Sequence, residues 1–378
     1  MLIKIDVSVV QSFENSNSWP DDLIIALENL ALARREGKHS IIADLNTLKI
    51  IAKCSDLSKN AKISYKKILN DRPKFKAYLS HVSRYIEIIH PCNVNKIDSN
   101  SGKDIIKLPY TFFNDSETIQ KSILLCENLQ DTEFYKIIAE TFCKWKRLNI
   151  KPKFEPSLGG GNTISTVYEN IQNKKKRLCL CIVDSDKLSP NSSLGSTARN
   201  IKQKDDNTSV TTLLYILPVR ELENLIPLSI LSELMSKNGD RENPFKQLEK
   251  IEESSVKEIR NFLDIKEGTR LKKIVNEPSS VKDFWKDKLD KLPNYSNDID
   301  EWCYENWSCC DPDPKKKSCK CKISLGFGQK ILENTITYLN TQSSFTIPSM
   351  VEESLHSEWK NIGQLMLNWG FADSPIRV

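Results

Sequence analysis

Apolar residues fall into two kinds of pattern along the middle of this chain. Three short unbroken runs stand out: Ser122-Ile-Leu-Leu-Cys126, Leu178-Cys-Leu-Cys-Ile-Val183 and Leu213-Leu-Tyr-Ile-Leu217. Continuous rather than alternating runs suit strands that are covered on both faces by helices. Between them the spacing changes to helical. After Asp131, the residues Phe134, Ile137, Ile138 and Phe142 share a face, and past Gly159-Gly160-Gly161 so do Ile164, Val167, Tyr168 and Ile171. Strand and helix in alternation predict an α/β fold around a mostly parallel sheet, with ligands met outside the carboxyl ends of its strands.

On either side the pattern is less regular. The spacing predicts a strand over Leu2 to Val7, then a helix from Leu23 to Arg35 with Asp21 or Asp22 as N-cap and Gly37 as its stop. The rest of this N-terminal stretch mixes short apolar and Lys-rich pieces and defines no fold by itself. Beyond Leu228 the chain reads as helical and charged, over Phe245 to Phe262 and again over Val281 to Leu292. It closes on an amphipathic stretch carrying Trp359, Ile362, Met366 and Trp369, which reads as a packed core helix or, alternatively, a contact surface for a partner. The polar stretch Ser189 to Ser209 reads as a loop. These shifts divide the chain into an N-terminal α/β segment (1–117), a central α/β domain (118–235) and a mainly helical C-terminal segment (236–378) with a Cys-rich insert at 303–321.

Composition narrows the class only slightly. The 378 residues are 39% hydrophobic and 28% charged, an ordinary globular balance. A net charge of +5, from 55 basic and 50 acidic residues, does not by itself argue for nucleic acid, because a binding face depends on where the charges sit. No apolar run approaches the roughly 18–20 residues of a membrane span. Asp6 interrupts the opening stretch, which lacks the basic-then-apolar order of a secretion signal. Of the 11 cysteines, Cys126, Cys179 and Cys181 sit inside apolar runs, and the odd total fits a reducing compartment. The expectation is a cytoplasmic protein with no membrane contact.

The chemistry lies in the acids. Each central apolar run leads into carboxylates: Glu127 and Asp131 after the first, Asp184 and Asp186 after the second, Glu221 and Glu223 after the third. Parallel strands deliver their carboxyl ends to one edge of a sheet, so these acids are expected to converge there. Clustered carboxylates repel unless a cation neutralises them. Oxygen ligands without histidine suit Mg²⁺ or Mn²⁺ rather than Zn²⁺, and all four histidines lie outside the central segment. Such an ion suits phosphodiester chemistry. Singly the acids have blander readings: Asp131 as a helix cap, Asp184 and Asp186 as turn acids, Glu221 and Glu223 as helix-start residues. Their recurrence at three successive strand ends favours the site.

Glu127 at a strand end with Asp131 four residues on, followed by Asp184-x-Asp186 after an apolar strand, resembles the TOPRIM domain of topoisomerases, primases and several nucleases. The stretch Arg220-Glu-Leu-Glu223-Asn224-Leu-Ile-Pro227 is similar to the acid-Asn-Leu element of the OLD-type nuclease branch, often found in phage-defence proteins. The resemblance spans only the central segment and implies a Mg²⁺-dependent nuclease acting on DNA or RNA. It implies Glu127 as general acid or base or as a metal ligand, with Asp184 and Asp186 on Mg²⁺. Glu223 is the better-matched third-strand acid, Glu221 its rival, and Asp131 a helper for a second metal. Asn128 stands where many TOPRIM domains have glycine, which leaves metal binding better supported than turnover.

Other motifs carry less. Gly159-Gly160-Gly161 before a helix suits either a phosphate cradle or a flexible turn, and it is not a Walker A loop. With no ATP-binding motif, any ATPase or sensor partner would be a separate chain. Cys303, Cys309, Cys310, Cys319 and Cys321 suit a structural Zn²⁺ site, although their spacing lacks paired C-x2-C knuckles, or else reduced thiols or incidental disulfides. The basic runs Lys174 to Arg177 and Lys315 to Lys317 read as solvated. Asp6 as the first acid of a PIN-type nuclease finds no matching acids downstream. Besides the nuclease, a topoisomerase or primase stands as a second reading, and a non-catalytic metal- or phosphate-binding sensor or assembly subunit as a third. The oligomeric state is open.

Overall fold

The computed structural model describes residues 1–376 apart from 12, 15, 17, 91–94, 101, 237–241, 293–300 and 309–320. The fold is α/β, with two sheets of mostly parallel strands flanked by helices. Two compact units form. The first comprises Met1–Cys181, Lys204–Tyr215 and Trp359–Val378, and the second Ile182–Gln203 and Ile216–Glu358.

The N-terminal sheet of the first unit contains β1 (Leu2–Ile5), β2 (Ser40–Ala43), β3 (Arg84–Ile89), β4 (Lys96–Asn100) and β5 (Lys103–Pro109) in the order β2-β1-β3-β5-β4. Only β4 runs antiparallel, paired with β5 at the edge. The Asp21–Arg35 helix packs here. Its N-cap is Pro20 rather than either aspartate; Asp21 and Asp22 lie in the first turn, where the helix dipole favours them. Gly37 follows at φ +66°, the left-handed conformation that ends a helix without a Cβ penalty.

The second sheet has the order β7-β6-β8-β9, with β6 (Ile123–Cys126), β7 (Glu155–Leu158), β8 (Cys179–Val183) and β9 (Thr212–Ile216), all parallel. The runs read from sequence as strands are β6, β8 and β9. Every residue of β6 and β8 is buried, as continuous apolar strands require. The edge strand β7 was not expected: it is mostly exposed and contains Pro156, which an edge tolerates because no ladder donor is needed there.

Helices seal this sheet. The Leu129–Trp145 helix buries Phe134, Ile138 and Phe142, and the Glu353–Gly370 helix buries Trp359, Ile362, Met366 and Trp369 completely. Phe134 and Trp359 meet edge to face with ring centroids 5.8 Å apart. A Cβ at Gly363 would stand 2.3 Å from the Cβ of Phe142, so glycine permits this close approach. The tryptophan stripe is therefore core and not a contact surface. One cluster joins Leu2, Ile42, Phe75 and Tyr85 with Phe142, Leu148, Leu367 and Phe371, so residues on both sides of position 117 share a core.

The second unit is mainly helical. It includes all but the last residue of Ser196–Lys204, a helix inside the polar stretch read from sequence as a loop; the helix buries only Ala198 and Ile201, too few to show a period. Further on lie the helices Leu228–Ser236, Glu242–Glu252, Ser279–Asp290 and Ile331–Thr341. Arg260, 2% exposed, ties this unit together through Glu252 at 2.5 Å and Glu352 at 2.6 Å. Among the described residues no helix is long and apolar enough to cross a membrane.

Candidate functional site

The second unit assembles part of the acidic constellation. The segment that follows β8 is pinned to the one that follows β9 by four contacts. The Leu222 N–H donates to Asp184 Oδ1 at 3.0 Å, and the Ser185 hydroxyl donates to the Val219 carbonyl at 2.6 Å. The Asp186 N–H donates to the Arg220 carbonyl and the Leu217 N–H to the Val183 carbonyl, at 2.8 and 3.0 Å. Asn224 then shapes the acidic turn. Its Oδ1 accepts from the Glu221 N–H at 2.8 Å, while its Nδ2 donates to the carbonyls of Arg260 at 2.7 Å and Leu263 at 3.0 Å. With Asn224 fully buried, the Glu-Leu-Glu-Asn-Leu order acquires a physical reason: the asparagine ties Glu221 to the carbonyls of Arg260 and Leu263.

Glu221 and Glu223 are both buried, and they share a cation that no sequence pattern revealed. Lys266 Nζ lies 3.0 Å from Glu223 Oε1 and 3.9 Å from Glu221 Oε2. Glu221 Oε1 accepts the Ile265 N–H at 2.9 Å, which occupies the rest of that carboxylate. Glu223, 3% exposed, keeps Oε2 buried with no hydrogen-bond partner. Beside them Asp264 pairs with Arg220 at 3.5 Å and Lys273 at 3.4 Å. Burial lowers the Lys266 pKa, but Glu223, Glu221 and Asp184 outweigh it and hold the ammonium above its ordinary value.

Burial, then the charges of Glu223 and Asp264, push the Glu221 carboxyl up to about 7, against the opposing pull of Lys266 and Arg220. The folded state thus holds a proton that the unfolded chain releases near 4.5. Stability is therefore expected to fall as pH rises from about 4.5 to about 7, by on the order of 3 kcal/mol, and then to level off. Glu221→Gln keeps the acceptor for Ile265 and removes the titration. Urea unfolding at pH 5 and pH 8 should show a smaller difference in the variant than in the parent protein; equal slopes would refute this source.

The other expected residues are placed differently. Asp186 is exposed, has φ +53°, and packs so closely on Gly195 that a Cβ there would approach its Oδ2 to 2.2 Å. Glu127 and Asp131 belong to the first unit, at the carboxyl end of β6. Asp131 Oδ2 accepts the Asn128 N–H at 2.9 Å, so it is the N3 member of a capping box whose N-cap is Asn128. Asn128 has φ −130°, ordinary extended backbone that makes no demand for glycine. In the glycine run, the Gly159 N–H donates to the Cys126 carbonyl at 2.9 Å and the Gly160 N–H to the Glu127 carbonyl at 3.3 Å. Both N–H groups are thus committed to backbone. A Cβ on Gly159 would stand 2.1 Å from that of Ile164, so this glycine permits close packing. Gly160 and Gly161 supply left-handed backbone at φ +57° and +55°.

Cys303 and Cys321 are buried, while Cys309, Cys310 and Cys319, like Lys315 to Lys317, lie outside the described residues. In the other basic run, Lys176 pairs with Asp115 and Arg177 with Glu155, both at 2.7 Å.

Among the described residues, no group of three or more His, Cys, Asp or Glu side chains is arranged to hold a metal ion. Lys266 supplies the positive charge between the two glutamates instead. Beside it, Glu223 presents a buried carboxylate oxygen with no hydrogen-bond partner. Comparison with protein-family models, curated proteins and solved structures finds no match to this chain.

Proposed function

We propose that this chain is a Mg²⁺- or Mn²⁺-dependent nuclease of TOPRIM type, cleaving or nicking DNA or RNA as an effector of anti-phage defence or as a toxin. The observation that carries this reading is Glu223, a carboxylate held in the interior with one oxygen unpartnered beside Lys266. Burying such a group costs stability, which a purely structural role would not require.

Asp184, Glu223 and Glu221 are the residues that would hold the ion, with Asp186 added by the TOPRIM resemblance. A bound divalent cation supplies charge neutralisation for the attacking and leaving oxygens of a phosphodiester. Asn224 and the Leu222 N–H keep the carboxylates fixed, so little reorganisation is needed when substrate arrives. Lys266, with its side chain 30% exposed, can turn its ammonium from Glu223 to a non-bridging phosphate oxygen. Any ATPase or sensor partner would be supplied by another chain.

Purified protein incubated with supercoiled plasmid, linear DNA and RNA tests the proposal. Mg²⁺ or Mn²⁺ should give cleavage of at least one substrate, and EDTA should abolish it. Intact substrates under both metals would overturn the nuclease and favour the non-catalytic sensor or assembly subunit. That second reading draws on Lys266, which already neutralises the acids without a metal.

A further inference from the structure

Outside the acidic site, the first unit contains a cavity of about 650 Å³ just beyond the carboxyl ends of β1 and β2. Val7 lines it from the chain leaving β1, and Asn46 from the chain leaving β2. Ligands of open α/β sheets bind outside the carboxyl ends of the strands. The volume falls within the range of small-molecule sites.

One face of the Leu45–Lys53 helix forms a wall. Asn46, Lys49, Ile50 and Lys53 all line the cavity, at the i, i+3, i+4 and i+7 spacing of a single helix face. Lys49 and Lys53 are exposed, and neither forms an ion pair among the described residues. Two unpaired ammonium groups one helical turn apart match a ligand carrying more than one negative charge.

The remaining lining differs in character. Trp19, Val7 and Ile50 give apolar surface, with Val7 41% exposed. Two acids are present as well. Asp56 already accepts the Trp19 N–H at 3.2 Å and the Ser55 hydroxyl at 2.9 Å, whereas Glu14 has no such engagement among the described residues. A lone carboxylate beside a cationic wall suits sugar hydroxyls, which donate to it.

We propose that this cavity is a nucleoside-diphosphate site, with the phosphates on Lys49 and Lys53, the ribose toward Glu14 and the base on the apolar side. Nothing in the acidic site is required for it.

Calorimetric titration of the full chain with ADP, adenosine and pyrophosphate tests it. ADP should bind with a Kd below about 1 mM, and at least about tenfold more tightly than either fragment. The Lys49→Ala/Lys53→Ala double variant should weaken ADP binding by at least about tenfold, since two charge-assisted contacts are lost. Both side chains are exposed, so the circular dichroism spectrum should not change. Val7→Trp should also block ADP by filling the cavity with both lysines in place. Asp184→Asn should leave ADP affinity unaltered. The site is refuted if ADP fails to bind at millimolar concentration, if pyrophosphate binds as tightly as ADP, or if the double variant keeps the parental affinity.

Discussion

Asp184→Asn is expected to lower plasmid or RNA cleavage by at least about 10²-fold without unfolding the protein. Asparagine retains an Oδ1 that can accept the Leu222 N–H, so the link between the segments after β8 and β9 survives. What disappears is one negative charge, which a hydrogen-bonding scaffold does not need and a divalent cation does. Glu223→Gln should behave the same way for a sharper reason. Its Oε2 has no protein partner, so the fold loses little when that oxygen becomes an amide nitrogen. Circular dichroism and thermal unfolding would verify folding, and gel assays under Mn²⁺ would give the rates. Parental rates in either folded variant would exclude these carboxylates from catalysis. Loss of activity accompanied by loss of fold would instead make them structural.

How far the sequence revealed this arrangement depends on the range of each contact. β6 and β8 were readable because both faces are buried, leaving unbroken apolar runs that no helix period explains. β2 and β7 have four residues each, and the Glu-Pro-Ser-Leu of β7 has neither an apolar run nor an alternation. A capping role for Asp131 was readable, because capping is settled within four residues, but the helix begins at Leu129, so Asn128 is the N-cap and Asp131 stands at N3. Lys266 was not. It lies more than forty positions beyond Glu223, past the helix Glu242–Glu252 and the turn at Lys257–Phe262, and no local pattern marks its approach. The glutamates were therefore legible as acids in want of a cation; that the chain itself brings Lys266 to them was not. Asn224 was visible as part of a motif, yet its role as the clamp on Glu221 required the carbonyls of Arg260 and Leu263 to be in view.

Lys266→Met separates a structural cation from one that merely holds the place of a metal. Methionine keeps most of the aliphatic stem and removes the ammonium, which leaves Glu221 and Glu223 facing each other in a buried setting. Breaking a buried pair by deleting one partner typically costs about 3–5 kcal/mol. The lysine side chain is 30% exposed, so screening reduces that to roughly 2–3 kcal/mol here. Part of the cost is relieved when Glu221 takes up a proton, since the pull of Lys266 that opposes its raised pKa is gone. The destabilisation should accordingly be larger at pH 9 than at pH 6. Mn²⁺ supplies the decisive comparison. A ligand that binds only the folded state stabilises it by RT ln(1 + [L]/Kd), and in the variant no ammonium competes for the carboxylates. Millimolar Mn²⁺ should therefore raise the urea midpoint of Lys266→Met more than that of the parent protein, with EDTA reversing the gain. An equal response in the two proteins would mean that the ion does not bind where Lys266 sits. No response in either would remove the metal from the acidic turn altogether and leave Lys266 as its permanent counter-ion.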